Sequence, residues 1–231
     1  MAKPEQLPFD LGPRHAHERE DFWVSDSNRA AIAWLDKWPD WPAPALIIFG
    51  PPACGKTHLL QVWKKEAGAK EISLRHLTPE SVDRIVGAAK EVMIDDVLPA
   101  LGRREQEEAL FHLYNLLRER GGHLLLTAEQ PVREWPFSLA DLKSRLMAAP
   151  AVEVSSPDDA LMAVVLTKLF SDRQIFVSQE VVQFILPRIE RSFLAMRQLT
   201  DKIDRKALSE KRAVTIPLVR EILQPNPELP I

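Results

Sequence analysis

Gly50-Pro-Pro-Ala-Cys-Gly-Lys-Thr57 decides the fold, because this stretch fits the phosphate-loop pattern in full. The solid apolar run at 45–49 comes just before it and is typical of a strand buried on both faces. A helical pattern follows at 57–67. Glycines let such a loop wrap around an anion, so that several backbone N–H groups point at phosphates. We therefore predict a site for a nucleoside polyphosphate; the alternative is a Gly/Pro turn before an ordinary helix.

The residues of this loop are expected to divide the binding between them. The helix that follows offers the positive end of its dipole to the phosphates. Lys56 is expected to reach the outer phosphates, and the Thr57 hydroxyl is expected to ligate Mg²⁺. The predicted nucleotide-binding residues of this stretch are Gly50, Pro51, Pro52, Ala53, Cys54, Gly55, Lys56, Thr57 and His58.

Around the loop, short apolar strands alternate with helical segments. The predicted strands are 45–49, 71–74, 91–95, 123–127 and 151–154. The predicted helices of the same region are 27–37, 57–67, 79–89 and 104–120. This alternation is typical of an α/β fold, and it predicts a phosphate-loop domain with a three-layer parallel sheet.

The pattern changes after residue 154. Ser156-Pro-Asp-Asp159 is a helix start, with a hydroxyl cap, a proline and acids in the first turn. Helical patterns then follow one another with no strand between them, at about 157–171, 178–187, 192–210 and 215–223. We expect a tail at 1–20, a nucleotide-binding α/β domain at 21–155 and a small all-helical lid domain at 156–231.

The composition limits the class of protein. With 45% hydrophobic and 27% charged residues among 231, a disordered or fibrous chain is excluded. A net charge of -3 differs from the excess of basic residues that is typical of proteins binding the DNA phosphate backbone. A single cysteine excludes a disulfide framework. No apolar stretch approaches the roughly 20 residues of a membrane span, so we expect a cytoplasmic protein without a membrane partner.

Acidic residues follow two of the predicted strands. Asp95-Asp96 ends one strand, where the Asp95 carboxylate is expected to hold Mg²⁺ opposite Thr57. Asp96 is the candidate catalytic acid that orients the attacking water, and because it is shorter than a Glu we expect weak hydrolysis by this chain at most. Glu129, after the strand at 123–127, would sense the terminal phosphate. Two acids in a solvated loop, and a polar turn at Glu129, are the alternatives.

Asp141-Leu-Lys-Ser-Arg-Leu146 contains a candidate of another kind. The guanidinium of Arg145 is planar and always charged, which makes it the best side-chain partner for a phosphate. At the end of this segment, Arg145 would reach a nucleotide on a neighbouring molecule. A solvated basic helix end is the alternative.

These motifs occur in one order along the chain: the phosphate loop, Asp95-Asp96, Leu126-Thr-Ala-Glu129, Leu142-Lys-Ser-Arg145 and a helical lid. The array resembles the AAA+ ATPase core of the bacterial replication initiator DnaA over about residues 20–223. The segment at 21–28 resembles the start of that core, where family members pack chain against the adenine. The resemblance therefore implies that the nucleotide is ADP or ATP, bound with Mg²⁺.

The resemblance also implies roles for single residues. Arg145 takes the arginine-finger position, and Glu129 takes the first-sensor position, which is usually Asp in the initiator. Arg191 best matches the lid arginine called sensor 2, which would contact the nucleotide. Arg197 competes with it, because the segment from Glu190 departs from the initiator's usual Arg-Glu-Leu-Glu-Gly.

The two ends of the chain differ from the initiator. We expect no DNA-binding domain after the lid. Gln6-Leu-Pro-Phe-Asp-Leu11 resembles the peptide that docks on the DNA polymerase sliding clamp. Pro8 holds Leu7 extended, so that Gln6 can hydrogen-bond while Leu7, Phe9 and Leu11 meet apolar pockets.

The combination resembles the DnaA-related regulators that inactivate the initiator. It implies a negative regulator of replication initiation that binds the clamp, reaches DNA through it and stimulates hydrolysis of the initiator's ATP. A second copy of the chain is a further candidate partner. Two alternatives stay open: an ATP-driven helicase loader or remodeller, and a nucleotide-binding adaptor without a catalytic role.

Overall fold

The computed structural model describes residues 23–223. Its centre is a five-stranded sheet with the order β2-β3-β4-β1-β5, in which every neighbouring pair is parallel. The strands are β1 (Ala45–Phe49), β2 (Lys70–Glu71), β3 (Glu91–Ile94), β4 (His123–Ala128) and β5 (Ala151–Glu153). The strand order reverses beside β1, and in open α/β sheets the ligand crevice lies at the carboxyl end of the strands at such a point.

Helices cover both faces of this sheet, which explains why its central strands are continuous apolar runs. The helices are α1 (Arg29–Leu35), α2 (Lys56–Ala67), α3 (Val82–Val86), α4 (Arg104–Glu119) and α5 (Ala140–Met147). Buried side chains of α1 and α2 pack in one core with alternate residues of β1. Those of α3, α4 and α5 pack in a second core against the other face. The predicted three-layer parallel architecture is confirmed.

Four further helices form a separate core after β5. They are α6 (Asp159–Ser171), α7 (Gln179–Ile185), α8 (Phe193–Glu210) and α9 (Ile216–Leu223). Three of them begin at a side-chain cap, because Asp158, Ser178 and Ser192 each accept a hydrogen bond from a backbone N–H of the first turn. Their shared core is aliphatic and aromatic, with Phe170, Ile185 and Met196 fully buried. The predicted helical lid is confirmed.

The sequence prediction is least accurate between residues 70 and 89. The predicted strand at 71–74 shrinks to Lys70–Glu71, because the Ser73 side chain caps a 3₁₀ turn at Leu74–His76. The predicted helix at 79–89 is a 3₁₀ turn followed by the short α3, which stops at Gly87 with a positive φ of 60°. In residues 23–223 no helix combines the length and the apolar character that crossing a membrane requires.

Candidate nucleotide-binding site

The phosphate loop connects β1 to α2 at the crevice of the sheet, as the sequence predicts. Only glycine fits at position 50, because the backbone of Val154 comes so close that a Cβ there would lie 2.0 Å from the Val154 carbonyl oxygen. Gly55 has a φ of 110° at the start of α2, and Ala53 is left-handed with a φ of 55°. The loop therefore has the backbone conformation in which N–H groups can surround an anion.

Lys56 lies against its own loop. Its Nζ donates to the carbonyl oxygens of Gly50 and Pro51, at 2.8 Å each. Cys54 is buried beside it, and burial raises the pKa of the Cys54 thiol against the opposing charge of Lys56. The thiol is thus held in its neutral form next to a fixed ammonium group, which is the charge that the outer phosphates of a nucleotide need.

The predicted Mg²⁺ ligands lie together. The Thr57 hydroxyl donates to Oδ2 of Asp95 at 2.7 Å, which joins the start of α2 to the end of β3. Within residues 23–223 no group of three or more His, Cys, Asp or Glu side chains is placed to hold a metal ion. One hydroxyl and one carboxylate fit Mg²⁺, because this ion is usually held by one or two carboxylates together with substrate phosphates and water.

Thr127 holds the other side of this carboxylate, a contact that the sequence did not specify. Its hydroxyl donates to Oδ1 of Asp95 at 2.6 Å and accepts from the backbone N–H of Asp96 at 2.8 Å. Thr127 is fully buried, in β4 beside β3. Both oxygens of the Asp95 carboxylate are therefore fixed by hydroxyl groups from two different elements.

Asp96 and Glu129 follow β3 and β4, and both are exposed. Asp96 has a left-handed φ of 53°. Although the residue is exposed, nearby protein atoms displace part of the water around its carboxyl group. This desolvation, followed by the charges of Glu129 and Asp95, raises the pKa of Asp96 above its ordinary value. The structure thus brings three carboxyl groups close enough to interact at the carboxyl ends of two strands. The roles of Asp96 as the water-orienting acid and of Glu129 as the first sensor stay predictions.

The lid contacts the phosphate loop through Phe193, which the sequence analysis missed. The Phe193 N–H donates to the Ala53 carbonyl at 3.0 Å, so the loop satisfies one of the free donors at the start of α8. A Cβ at Gly55 would lie 3.0 Å from Cε2 of Phe193, which places the aromatic ring against the loop. The available signal was Ser192, whose side chain caps α8 and so fixes where the lid helix begins.

The two candidate lid arginines behave differently. Arg191 pairs with Asp159 at the start of α6, with 2.8 Å between Nη2 and Oδ1. Arg197 lies exposed on α8. The assignment of Arg191 as the nucleotide-contacting arginine stays a prediction.

Arg145 lies on α5, which packs on the sheet through the buried Leu142 and Leu146. Its own side chain is exposed, and within the described part of the chain no acidic group pairs with it. The predicted clamp-binding residues Gln6, Leu7, Phe9 and Leu11 lie outside the described residues.

Comparison with known proteins agrees with this geometry. The family model for the lid domain of Hda matches residues 159–223. A protein of Haemophilus influenzae described only as an uncharacterized protein is 28% identical over 228 residues, covering 95% of this chain and 98% of its own length. Both of these similarities are similarities of sequence.

Two solved structures are similar in fold. Domain III of the Thermotoga maritima replication initiation protein DnaA has a TM-score of 0.73 and 19% identity, covering 89% of this chain and 96% of that domain. AMPPCP-bound DnaA from Aquifex aeolicus has a TM-score of 0.70 and 19% identity, over 83% of this chain. The match spans only 66% of the length of that initiator chain. The family-model match is thus confined to the helical lid, and the sheet domain together with this lid has the fold of these DnaA structures.

Proposed function

We propose that this chain is a negative regulator of replication initiation, which binds an adenine nucleotide and stimulates hydrolysis of the ATP bound to the initiator DnaA. One observation carries the proposal: Arg145 stands exposed on α5 without an acidic partner in residues 23–223. An unpaired guanidinium on a helix surface can engage the phosphates of a nucleotide held by another molecule without first breaking an ion pair.

The chain's own nucleotide would be held by the phosphate loop. Lys56 would neutralise the outer phosphates, and Thr57 and Asp95 would ligate Mg²⁺. The AMPPCP in the Aquifex aeolicus initiator supports an adenine nucleotide as the ligand. Asp96 is one methylene shorter than a Glu, which supports slow hydrolysis of this nucleotide. The occupied site would serve to hold the chain in its active arrangement.

The reaction that we propose takes place on the ATP bound to the initiator, and this chain would contribute to it from outside that molecule. When the two proteins meet, Arg145 would contact the terminal phosphate of the initiator's ATP and stabilise the charge that develops there. In the best-studied switch proteins such an arginine accelerates hydrolysis by about 10³–10⁵. The peptide at residues 6–11 would tether the chain to the sliding clamp, so that the encounter takes place on replicating DNA.

The test measures turnover of ATP on loaded initiator, with and without this chain, the sliding clamp and DNA. We expect stimulation by the wild-type chain and none by Arg145→Ala, which should still bind its own nucleotide. Lys143→Ala is the matched control, because it removes one exposed charge from the same helix. Full stimulation by Arg145→Ala would contradict the role of the arginine.

Other outcomes of the same assay identify the alternatives. Fast ATP turnover by the purified chain, increased further by DNA, would indicate a loader or remodeller. Tight nucleotide binding with no effect on the initiator's ATP would indicate an adaptor. The tether is tested separately, by a clamp pull-down in which the double variant Leu7→Ala, Phe9→Ala is expected to lose binding; unchanged capture would reject it.

A further inference from the structure

Glu107 is an ionisable side chain that the proposed mechanism does not use, although its environment is unusual. It lies in α4 and is fully buried, with an exposed fraction of 0%. Among the Asp, Glu, Lys and Arg side chains of residues 23–223, it is the only one that is buried. Burial of a carboxylate is costly unless hydrogen bonds replace its water. The groups that supply those bonds therefore have to be held in place.

Backbone N–H groups supply the hydrogen bonds that this carboxylate accepts among the described residues. Oε1 accepts from Gly102 at 2.7 Å and from Ser138 at 2.9 Å. Oε2 accepts from Ser138 at 2.9 Å and from Leu139 at 2.6 Å. No basic side chain pairs with Glu107 within the described residues. The carboxylate thus joins the loop before α4 to the segment that enters α5.

The contact with Leu139 places the carboxylate at the start of α5. Leu139 is the N-cap residue of this helix, and the helix has no capping side chain of its own. The Glu107 carboxylate therefore caps the N-terminus of α5, and its charge lies at the positive end of the helix dipole. A helix of eight residues is not stable alone, so its direction depends on this anchor and on the buried Leu142 and Leu146.

We propose that Glu107 is the positioning residue of Arg145, an inference that rests on the proposed function of that arginine. Arg145 follows Leu139 by six positions, roughly 9 Å along a helix at 1.5 Å per residue. A change in the direction of α5 at its anchor is carried to the guanidinium. Since misplacement by about 1 Å can cost 10²-fold in a catalysed rate, the anchor sets the efficiency of the arginine.

The test is Glu107→Gln, which keeps the shape of the side chain but turns an amide NH₂ toward backbone donors. We expect stimulation of the initiator's ATP turnover to fall by about tenfold or more. Affinity of the chain for ADP should stay within about twofold, because the hydrogen-bond partners of Glu107 in the described residues lie outside the phosphate loop. Stimulation is expressed per ADP-binding molecule, so that loss of folded protein cannot imitate the result.

The matched control is Glu108→Gln, the next residue of α4, whose side chain is solvent-accessible and pairs with Arg104. It should leave stimulation unchanged. Amide hydrogen exchange should increase at residues 138–146 and not in β1. A residue that only stabilises the fold would not produce this local pattern.

Two outcomes overturn the inference and are distinguishable. If Arg145→Ala abolishes stimulation while Glu107→Gln keeps it in full, the proposed function stands and the positioning role is wrong. If the wild-type chain gives no stimulation, the proposed function has failed and the inference fails with it. Should Glu107→Gln not fold, Glu107→Asp replaces it; its charge remains, but its carboxylate is about 1.5 Å short of the amides, and the same loss is expected.

Discussion

The phosphate loop and helix α5 present their cationic side chains in opposite ways. Lys56 donates to two carbonyl oxygens of its own loop, whereas Arg145 is exposed and has no acidic partner among residues 23–223. A cation held within its own loop is placed for a ligand on the same chain. A cation left unpaired on a helix surface is available to another molecule. The comparison separates Lys56, which we expect to serve a nucleotide bound to the same chain (the cis site), from Arg145, which we propose to act on another molecule.

The largest effect is expected from Lys56→Ala, which removes the charge of the cis site. Nucleotide affinity measured by calorimetry with Mg²⁺ should fall by roughly 100-fold, since a charge-assisted contact to phosphate is lost. Lys65→Ala is the control, because Lys65 is exposed on the same helix. An affinity unchanged from wild type would show that the loop does not grip the phosphates, and the cis side of the comparison would be wrong.

Thr127→Val tests how firmly the predicted Mg²⁺ ligand Asp95 is held in the cis site. The substitution removes the hydroxyl that holds Asp95 and leaves the Asp96 N–H without that acceptor. Loss of the buried Thr127 hydroxyl, which leaves a part-buried donor unsatisfied, costs about 1–3 kcal/mol, so we expect the free energy of unfolding to fall by that amount in urea titrations. The control is Thr167→Val, which removes an exposed hydroxyl bonded to its own helix. Equal losses for the two variants would reject a special role for Thr127.

Phe193→Ala tests whether the lid belongs to the cis site. The backbone bond to Ala53 remains, but the ring no longer packs against Gly55. Loss of a half-buried aromatic contact of about 1.4 kcal/mol corresponds to tenfold faster release of a fluorescent ADP in stopped-flow measurements. Leu194→Ala is the control, because this neighbour is 55% exposed. Release at the wild-type rate would mean that the lid does not guard the nucleotide.

The parts of the molecule that the sequence predicted well are those with local signals. A solid apolar run and a glycine-rich loop define β1 and the phosphate loop, and hydroxyl or acidic caps define the lid helices. The edge strand β2 and the short α3 were predicted too long. Their limits depend on pairing with a single neighbour and on turns that local periodicity does not report.

The contacts that were missed join residues far apart in sequence. Arg104-Glu-Gln-Glu-Glu108 has the composition of a solvated helix face, and nothing in it distinguishes Glu107 from Glu108. The partners of Glu107 at Ser138 and Leu139 lie 31 and 32 positions later, on another element. Phe193 likewise meets Ala53 only because the lid folds back on the sheet domain. Such contacts follow from topology, which a single sequence does not specify.

The smallest effect is expected from Asp96→Asn, measured without nucleotide and without Mg²⁺. Burial and the charges of Glu129 and Asp95 raise the pKa of Asp96 above its ordinary value of 3.8. The folded state therefore binds this proton more tightly than the unfolded state, and the wild-type chain loses stability as pH rises through the raised pKa. Asn carries no such charge and tolerates the left-handed backbone of this position.

The melting temperature of Asp96→Asn relative to wild type should consequently increase as pH rises from the ordinary value of 3.8 through the raised pKa, by about a degree or two at most. Glu129→Gln should shift the wild-type profile in the same direction, because it removes one of the two charges that act on Asp96. A difference that shrinks as pH rises would mean that the carboxyl groups do not repel one another, and the cis site would then lack the excess negative charge that a divalent cation neutralises.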